Sequence, residues 1–546
     1  MMIRRLEFSG MRLKAKNISL LILFFISQNI FSQHTRPLSG TVLETEFYGN
    51  NSDVHSSVKP MLDDFLTERK IYGNDSAVKA SVHYLGGAWN TYGNGSDAVY
   101  HKMVFKVNPI YDFSVGQDFA GKRLLYSTTI GTILSASYKG KIGIELRGAA
   151  GNSTLPNYLD SIASKTGMMP GWGDRAYANG NANYSFQHFS GNVIWRPSKI
   201  FNLQVGRDKH FWGDGYRSLF LSDVSAAMPY IKQTTTIWKL QYVSLFTAMT
   251  DVSHSNGSAK DFRNKFGTFH YISFNAAKWL NIGVFESVIW QGNDPSRQRG
   301  FDPNYLNPII FFRPVEYSLG SSDNSMLGMA FKIRLNANNQ IYAQLLLDEF
   351  YLKEIRARNG WWANKQAYQI GYKCFNVGDV KKLFLQTELN IVRPYTYTHG
   401  SVQQNYSNAG IALAHPLGAN FSELIGIVSY SKKQFTVTGK IIDSHYGLDT
   451  AGTDYGQNIF ISYMNRSPVD PLKPTQKDYN HRMFDGVSTN MFYVELKASY
   501  AFATAFPLRV ELLAATRREH NALMTKNSAY LQIGFTLPLW RTYRDY

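Results

Sequence analysis

The feature that most constrains this chain is an alternation of apolar and polar residues that recurs along most of its length. Between Phe492 and Tyr500, Phe, Val, Leu, Ala and Tyr occupy every second position, and Glu495 and Lys497 lie between them. The same alternation occurs in Ile142–Arg147, Met329–Leu335, Ile341–Asp348 and Leu508–Ala515. Because successive side chains of a strand point to opposite faces, these segments are predicted to be β-strands with one apolar and one polar face.

Short polar or Pro-containing breaks separate neighbouring strands. Asn336–Asn339 joins one predicted pair and Ala503–Pro507 joins another, and similar breaks occur at Pro197–Lys199 and Asn275–Lys278. Connections this short bring consecutive strands together as antiparallel hairpins. The fold class is therefore all-β.

A soluble sandwich and a membrane barrel would both produce this alternation. The sequence favours the barrel, because no linker divides its strand-rich region and charged residues recur on the polar faces of adjacent strands, where they could pair across a lumen. It also contains 34 Tyr and 10 Trp, residues that are favoured at membrane interfaces. After the N-terminus no run of 18 apolar residues occurs, which excludes membrane-spanning helices. We expect a large antiparallel transmembrane β-barrel of roughly 16–18 strands.

The two ends of the sequence agree with export to an outer membrane. Residues 1–32 have the basic and apolar regions of a signal peptide, with a cut expected after Ser32. Residues 33–95 are expected to form a periplasmic or plug segment with a short helix over Val58–Lys70. Residues 96–546 are expected to form the barrel.

The strand Tyr530–Trp540 resembles the C-terminal signal that the barrel assembly machinery recognises. The only cysteine, Cys374, excludes an internal disulfide.

The densest cluster of charged and aromatic residues is the run Gly206–Asp223. Its candidate binding residues are Arg207, Asp208, Trp212 and Arg217. These groups could bind a sugar or an acidic glycan, since Arg binds acidic groups with paired hydrogen bonds. Alternatively, the run is an internal turn whose Arg and Asp side chains pair inside the lumen, and this structural interpretation is slightly favoured.

Three further runs supply the remaining candidate ligand-binding residues, which are Arg313 and Glu316, Trp361 and Trp362, and Arg393 and Tyr395. Acidic residues in these runs, such as Asp348 and Glu388, leave a hydrolase open, but structural ion pairs are the simpler interpretation. No spacing typical of a zinc site, a phosphate-binding loop or a nucleic-acid-binding module occurs. We therefore expect no metal, cofactor, nucleic acid or enzymatic activity.

In these runs the sequence resembles the Wzi-type capsule-assembly outer-membrane proteins. It is most similar to the RemB-type, gliding-motility-associated members, through Gly206–Asp223, Arg313–Glu316 and the region from Arg393 to Asn420. The resemblance implies a large barrel with a small periplasmic helical part and a lectin-like role in holding acidic polysaccharide at the cell surface. The N-terminal segment differs from that of the capsule proteins in being poorer in helix.

The expected function is thus to anchor or organise surface polysaccharide, or to support gliding motility. Expected partners are membrane lipid and lipopolysaccharide, acidic polysaccharide, gliding or envelope proteins and, during biogenesis, the barrel assembly machinery. The net charge of +17 suits phosphate-bearing lipid or acidic polysaccharide. The alternatives are a porin or transporter, which requires an open lumen, and an outer-membrane hydrolase.

Overall fold

The alternating segments form the wall of a closed barrel. The computed structural model describes residues 35–36, 55–62, 85–89, 103–138, 141–253, 255, 259–294, 297–298, 300–307, 323–349, 351–470, 472–502, 508–536 and 543–546. The signal peptide expected over residues 1–32 lies outside the described residues, as does most of residues 33–95.

Among the described residues, eighteen antiparallel strands build the wall, at the upper end of the expected number. They are β1 Met103–Asp118, β2 Arg123–Tyr138, β3 Ile142–Thr154, β4 Asn183–Trp195, β5 Phe201–Asp208, β6 Met228–Ile237, β7 Leu240–Asp251, β8 Arg263–Ala277, β9 Leu280–Gln291, β10 Asn324–Arg334, β11 Asn339–Leu347, β12 Gln366–Phe375, β13 Leu383–Val392, β14 Phe421–Lys432, β15 Phe435–Leu448, β16 Val487–Ala501, β17 Arg509–Asn521 and β18 Thr525–Thr536. Each strand pairs with its sequence neighbours. The ring closes where β18 pairs with β1, from Tyr530 opposite Asp118 to Thr536 opposite Asp112.

The two faces of the wall confirm the predicted alternation. Large apolar side chains project from the outer face and remain exposed, including Leu124, Ile130, Ile370 and Leu496. Polar residues such as Glu495 lie buried on the inner face. In a bilayer this arrangement places apolar groups against hydrocarbon, and ring closure satisfies every strand edge.

The two ends of the barrel differ in loop length. Short connections follow β2, β4, β6, β8, β10, β12, β14 and β16 at one end, which also carries exposed aromatic residues such as Trp238 and Trp279. Long connections follow β3, β5, β7, β9, β11, β13 and β15 at the opposite end. In bacterial outer-membrane barrels the short turns face the periplasm and the long loops face outside.

In the described parts of the long loops there are two helices, α1 (Asn157–Thr166) between β3 and β4 and α2 (Leu352–Ala357) between β11 and β12. Neither helix was predicted from the sequence. Among the described residues, no helix is long and apolar enough to cross a bilayer.

The start of the helix predicted over Val58–Lys70 is wrong. Val58–Lys59 and Met61–Leu62 are two-residue strands on either side of Pro60, and residues 63–70 lie outside the described part of the chain. Val58–Lys59 pairs with Phe211–Trp212, so its backbone hydrogen bonds go to another segment rather than to a helix. Another short strand, Leu85–Trp89, pairs with the first residues of β1.

Candidate ligand-binding vestibule

The loop between β5 and β6, residues 209–227, folds into the lumen and is called the inner loop here. At one side of the lumen, Trp212 is fully buried among the rings of Phe269, Tyr271 and Phe285 on β8 and β9, at centroid distances of about 6 Å. Further along, the Leu219 amide donates to Gln344 Oε1 on β11 at 2.8 Å. The inner loop therefore contacts strands from different parts of the wall and crosses the lumen.

Acidic side chains of the wall and the inner loop hold this crossing in place. Glu388 on β13 accepts hydrogen bonds from the backbone amides of Tyr216 and Arg217, at 2.6 and 3.0 Å. On the periplasmic side, Asp214 accepts a hydrogen bond from Ser57 Oγ at 2.6 Å and pairs with Lys332 at 3.3 Å. Burial by itself would raise the pKa of Asp214, but the positive charges of Lys332 and Lys59 outweigh burial and lower this pKa to about 2.

The loop between β13 and β14, residues 393–420, packs over the inner loop from the outer side. Tyr397 and Tyr406 donate their hydroxyl protons to the carbonyls of Leu219 and Phe220, at 2.9 and 2.6 Å. Asn408 Nδ2 donates to the Ala226 carbonyl at 3.1 Å. The two loops form one packed layer across the lumen.

A cavity of about 2000 Å³ lies at the long-loop end of the barrel. We call it the vestibule. Its walls are α1, the outer ends of β3, β4, β7, β17 and β18, and the loop that follows β15; its inner side includes residues 226–229, 408–412 and Tyr546. This volume exceeds the roughly 300–1,000 Å³ typical of a small-molecule pocket. The vestibule can therefore accept several units of a polymer.

The acidic residues that line the vestibule are already engaged. Asp174 lies 2.6 Å from His188 Nδ1, and Glu519 lies 2.8 Å from Arg517 Nη1. Asp251 accepts hydrogen bonds from Arg263, including one of 3.0 Å from Nε. Asp449 accepts three backbone N–H groups, from Tyr455, Gln457 and Asn458.

Several basic residues of the vestibule have no acidic partner. Lys165 in α1 and Lys526 in β18 are exposed, and in the described part of the chain their ammonium groups contact no carboxylate. Arg207 on β5 is at the edge of the same cavity, and its guanidinium donates to the Phe189 carbonyl. The charge left available to a ligand is therefore positive, which suits an anion.

The predicted binding residues of the run Gly206–Asp223 separate into different environments. Arg207 lines the vestibule, whereas Asp208 is buried and accepts a hydrogen bond from Arg147 at 2.9 Å. Trp212 and Arg217 are buried in the inner loop, and Arg217 lies between Glu423 and Asp545 at 3.4 and 3.3 Å. Asp208 and Arg217 thus form buried ion pairs, as the internal-turn interpretation predicted, whereas Arg207 forms none among the described residues.

Trp361, Trp362, Arg393 and Tyr395 come together in a second group beside the vestibule. Trp362 packs against Tyr395 and has the Arg466 guanidinium 4.0 Å from its ring centroid. Tyr395 is fully buried and donates to the Asp454 carbonyl, and Arg393 Nε donates to the Asn364 carbonyl. None of the four residues lines the vestibule. Arg313 and Glu316 lie outside the described residues.

Asp348 and Glu388, the acidic residues considered for a hydrolase, do not form a common site. Asp348 accepts the Tyr397 amide at 2.8 Å, while Glu388 accepts protons from the inner loop and from the Tyr342 hydroxyl. Each carboxylate is buried in its own set of structural hydrogen bonds. No cluster of His, Cys, Asp and Glu in the described residues could hold a metal ion.

Lys165, Lys526 and Tyr546 were not predicted from the sequence as binding residues. A signal for α1 was present, because Pro156 precedes the helix, Gly167 ends it in a left-handed conformation, and Asp160 and Lys165 lie in its first and last turns. No local pattern could have placed Lys526 and Tyr546 beside α1, because ring closure and the fold of residues 543–546 bring them there.

A closed, even-numbered antiparallel barrel with an apolar outer face and a polar lumen is the architecture of bacterial outer-membrane barrels. The protein is therefore an outer-membrane β-barrel. Its fold is similar to that of Wzi from Escherichia coli, an outer-membrane protein involved in group 1 capsule assembly and a carbohydrate-binding β-barrel. The TM-score is 0.52 at 11% identity, over 90% of this chain and 96% of that one.

Two barrels of Pseudomonas aeruginosa are also similar, at lower scores. OprD has a TM-score of 0.43 at 8% identity, over 79% of this chain and 94% of its own. OpdK, solved with vanillate, has a TM-score of 0.43 at 10% identity, over 79% and 97% of the two chains. No protein-family model and no curated protein matches the sequence. At 11% identity the similarity to Wzi establishes the fold alone.

Proposed function

We propose that the protein binds acidic polysaccharide in the vestibule and holds it at the cell surface, without catalysis. The observation that carries this proposal is the charge state of the vestibule: its acidic residues are engaged, whereas Lys165 and Lys526 have no acidic partner among the described residues. A polymer of uronate or phosphate groups would supply the missing negative charge. The likeness to a carbohydrate-binding barrel supports the same ligand class.

The packed lumen supports anchoring rather than transport. A porin needs a continuous aqueous path, whereas the inner loop crosses this lumen and residues 393–420 cover it. We therefore expect purified protein in planar bilayers to show no stable single-channel conductance. Steady conductance steps of the kind seen with porins would favour the transport alternative.

The direct test is binding of alginate, a linear uronate polymer, to the detergent-solubilised protein. The variant Lys165→Glu/Lys526→Glu reverses two vestibule charges and should weaken binding about tenfold, which corresponds to roughly 1.4 kcal/mol. Lys353→Glu is the matched control, because Lys353 is exposed on α2 outside the vestibule. Neutral dextran should bind neither protein. Equal alginate affinity for wild type and the double variant would refute the proposal.

The cellular role divides into two finer proposals. Deleting the gene should reduce cell-attached polysaccharide if the protein retains a capsule, as the Wzi likeness suggests. It should reduce colony spreading if the protein serves gliding, as the resemblance to RemB-type proteins suggests. Lipopolysaccharide around the barrel and envelope proteins at its ends are the expected neighbours in either role. If neither phenotype changes, the surface-anchoring function is wrong.

A further inference from the structure

Residues 543–546, which we call the tail, lie inside the barrel. The last strand, β18, ends at Thr536 on the short-turn side, yet the tail lies next to α1 and the inner loop near the long-loop end. Tyr543 and Asp545 are buried, and Tyr546 lines the vestibule. A segment that follows a strand ending on the periplasmic side thus reaches the cavity that opens outside.

Asp545 anchors the tail at its centre. Its carboxylate lies 2.8 Å from Lys440 Nζ on β15 and 3.3 Å from Arg217 Nη1, and it accepts the Tyr216 hydroxyl proton at 2.5 Å. The Asp545 carbonyl accepts a further hydrogen bond from Arg217 Nη2 at 2.6 Å. A buried carboxylate with this many partners fixes the backbone on either side of it.

Hydrogen bonds on both sides of Asp545 complete the anchoring. Tyr543 donates to Asp223 Oδ1 at 2.5 Å, and the Arg544 carbonyl accepts the Tyr158 hydroxyl proton from α1 at 2.6 Å. At Tyr546 the hydroxyl accepts the Gly171 amide at 2.8 Å and the carbonyl accepts Arg517 Nε at 3.0 Å. Two vestibule elements, α1 and β17, are therefore tied directly to the tail.

We infer that the tail is a ligand-binding element, which presents the half-buried ring of Tyr546 to a sugar unit in the vestibule. This inference rests on the proposed glycan binding. Tyr is suited to the position because its ring can pack against the apolar face of a sugar while its hydroxyl remains hydrogen-bonded. Asp545 acts as a positioning residue, since it holds Tyr546 in place without lining the cavity.

The first test asks whether the tail is accessible from outside, and it does not depend on any glycan. In a Cys374→Ser background, which removes the only native cysteine, Tyr546→Cys should react with a membrane-impermeant maleimide on intact cells. Lys353→Cys on α2 is the outside control and Lys199→Cys in the turn after β4 is the periplasmic control. If Tyr546→Cys reacts only after the outer membrane is permeabilised, the inference is wrong even when wild type binds glycan.

The second test measures contact with the ligand. Alginate should slow maleimide labelling of Tyr546→Cys but not of Lys353→Cys. Tyr546→Ala should bind alginate about fivefold more weakly, whereas Tyr546→Phe, which keeps the ring, should bind within twofold of wild type. Asp545→Asn should weaken binding while both native vestibule lysines remain in place.

The outcomes separate the two proposals. If wild type binds alginate but Tyr546→Ala binds equally well, the tail is structural and the inference fails alone. If wild type binds no alginate, the proposed function fails and ligand contact by Tyr546 fails with it, while labelling still establishes where the tail lies. Gel mobility before and after heating should show that each variant folds.

Discussion

The inner loop and the vestibule are both rich in charged and aromatic residues, but they differ in how those residues are partnered. In the inner loop, Arg217 is 1% exposed and lies between two carboxylates. In the vestibule, Lys165 and Lys526 are exposed and have no carboxylate partner among the described residues. A cluster whose charged groups pair with one another serves the fold, whereas a cluster with unpaired charged groups can bind a ligand.

This difference explains why residue type alone was a poor guide to the site. The run Gly206–Asp223 is rich in aromatic and charged residues, yet most of it holds the lumen closed. Lys165 and Lys526 stand in unremarkable segments and become important only because the barrel brings α1 next to β18. Predictions that separate structural from ligand-facing charge test the comparison directly.

The largest expected effect is on stability, from Arg217→Ala. The substitution removes the cation that Asp545 and Glu423 share. Asp545 keeps Lys440 and Glu423 keeps His415, so the cost should fall near the lower end of the roughly 3–5 kcal/mol typical of a broken buried ion pair. We expect the folded, fast-migrating gel band to be lost at a clearly lower temperature or urea concentration. Arg356→Ala, at an exposed position of α2, should change stability by less than about 0.5 kcal/mol. An unchanged midpoint for Arg217→Ala would mean that the inner loop does not lock the lumen.

The fold could be predicted because each barrel strand is marked by an alternation of apolar and polar residues within its own sequence. The alternation in Phe492–Tyr500 identified both faces of β16, and the turn Asn336–Asn339 identified the β10–β11 hairpin. The strand number followed only approximately, since strand length depends on where each loop begins. The path of the inner loop could not be predicted from the sequence. It is fixed by contacts such as that of Leu219 with Gln344, which are 125 positions apart.

The loop that follows β15 should lose local stability as pH rises, and this effect is smaller than that of Arg217→Ala. Burial, and then repulsion by Asp449, raises the pKa of Asp454 to about 7, and no donor in the described part of the chain bonds Asp454 Oδ2. The folded loop therefore holds a proton that the opened loop releases at a much lower pH. Its stability is full below about pH 4 and declines as pH rises through 7.

Hydrogen exchange measures this loss. The protection factors of residues 449–461, corrected for intrinsic exchange, should fall at least about tenfold between pH 5 and pH 8. Asp454→Asn cannot ionise and should show protection that varies little with pH. If wild type and Asp454→Asn have the same pH profile, ionisation of this carboxylate does not govern the loop.

Salt should weaken alginate binding in the vestibule and leave the stability of the inner loop almost unchanged. The ammonium groups of Lys165 and Lys526 are exposed, so counterions screen their attraction for a polyanion. Raising sodium chloride from about 0.05 to about 0.5 M should weaken alginate binding several-fold. The buried Arg217–Asp545 pair is protected from screening, and the unfolding midpoint should move little. Alginate affinity that is insensitive to salt would argue for a ligand held by neutral contacts.

The smallest expected effect is that of Trp361→Ala on alginate binding. Trp361 and Trp362 were predicted to bind ligand, but Trp361 packs against Tyr351 and Trp362 and does not line the vestibule. We expect less than a twofold change in alginate affinity, set beside the tenfold change from Lys165→Glu/Lys526→Glu. A loss as large as that of the double variant would extend the binding surface beyond the vestibule to the group around Trp362, because a polymer long enough to fill the cavity could also reach these rings.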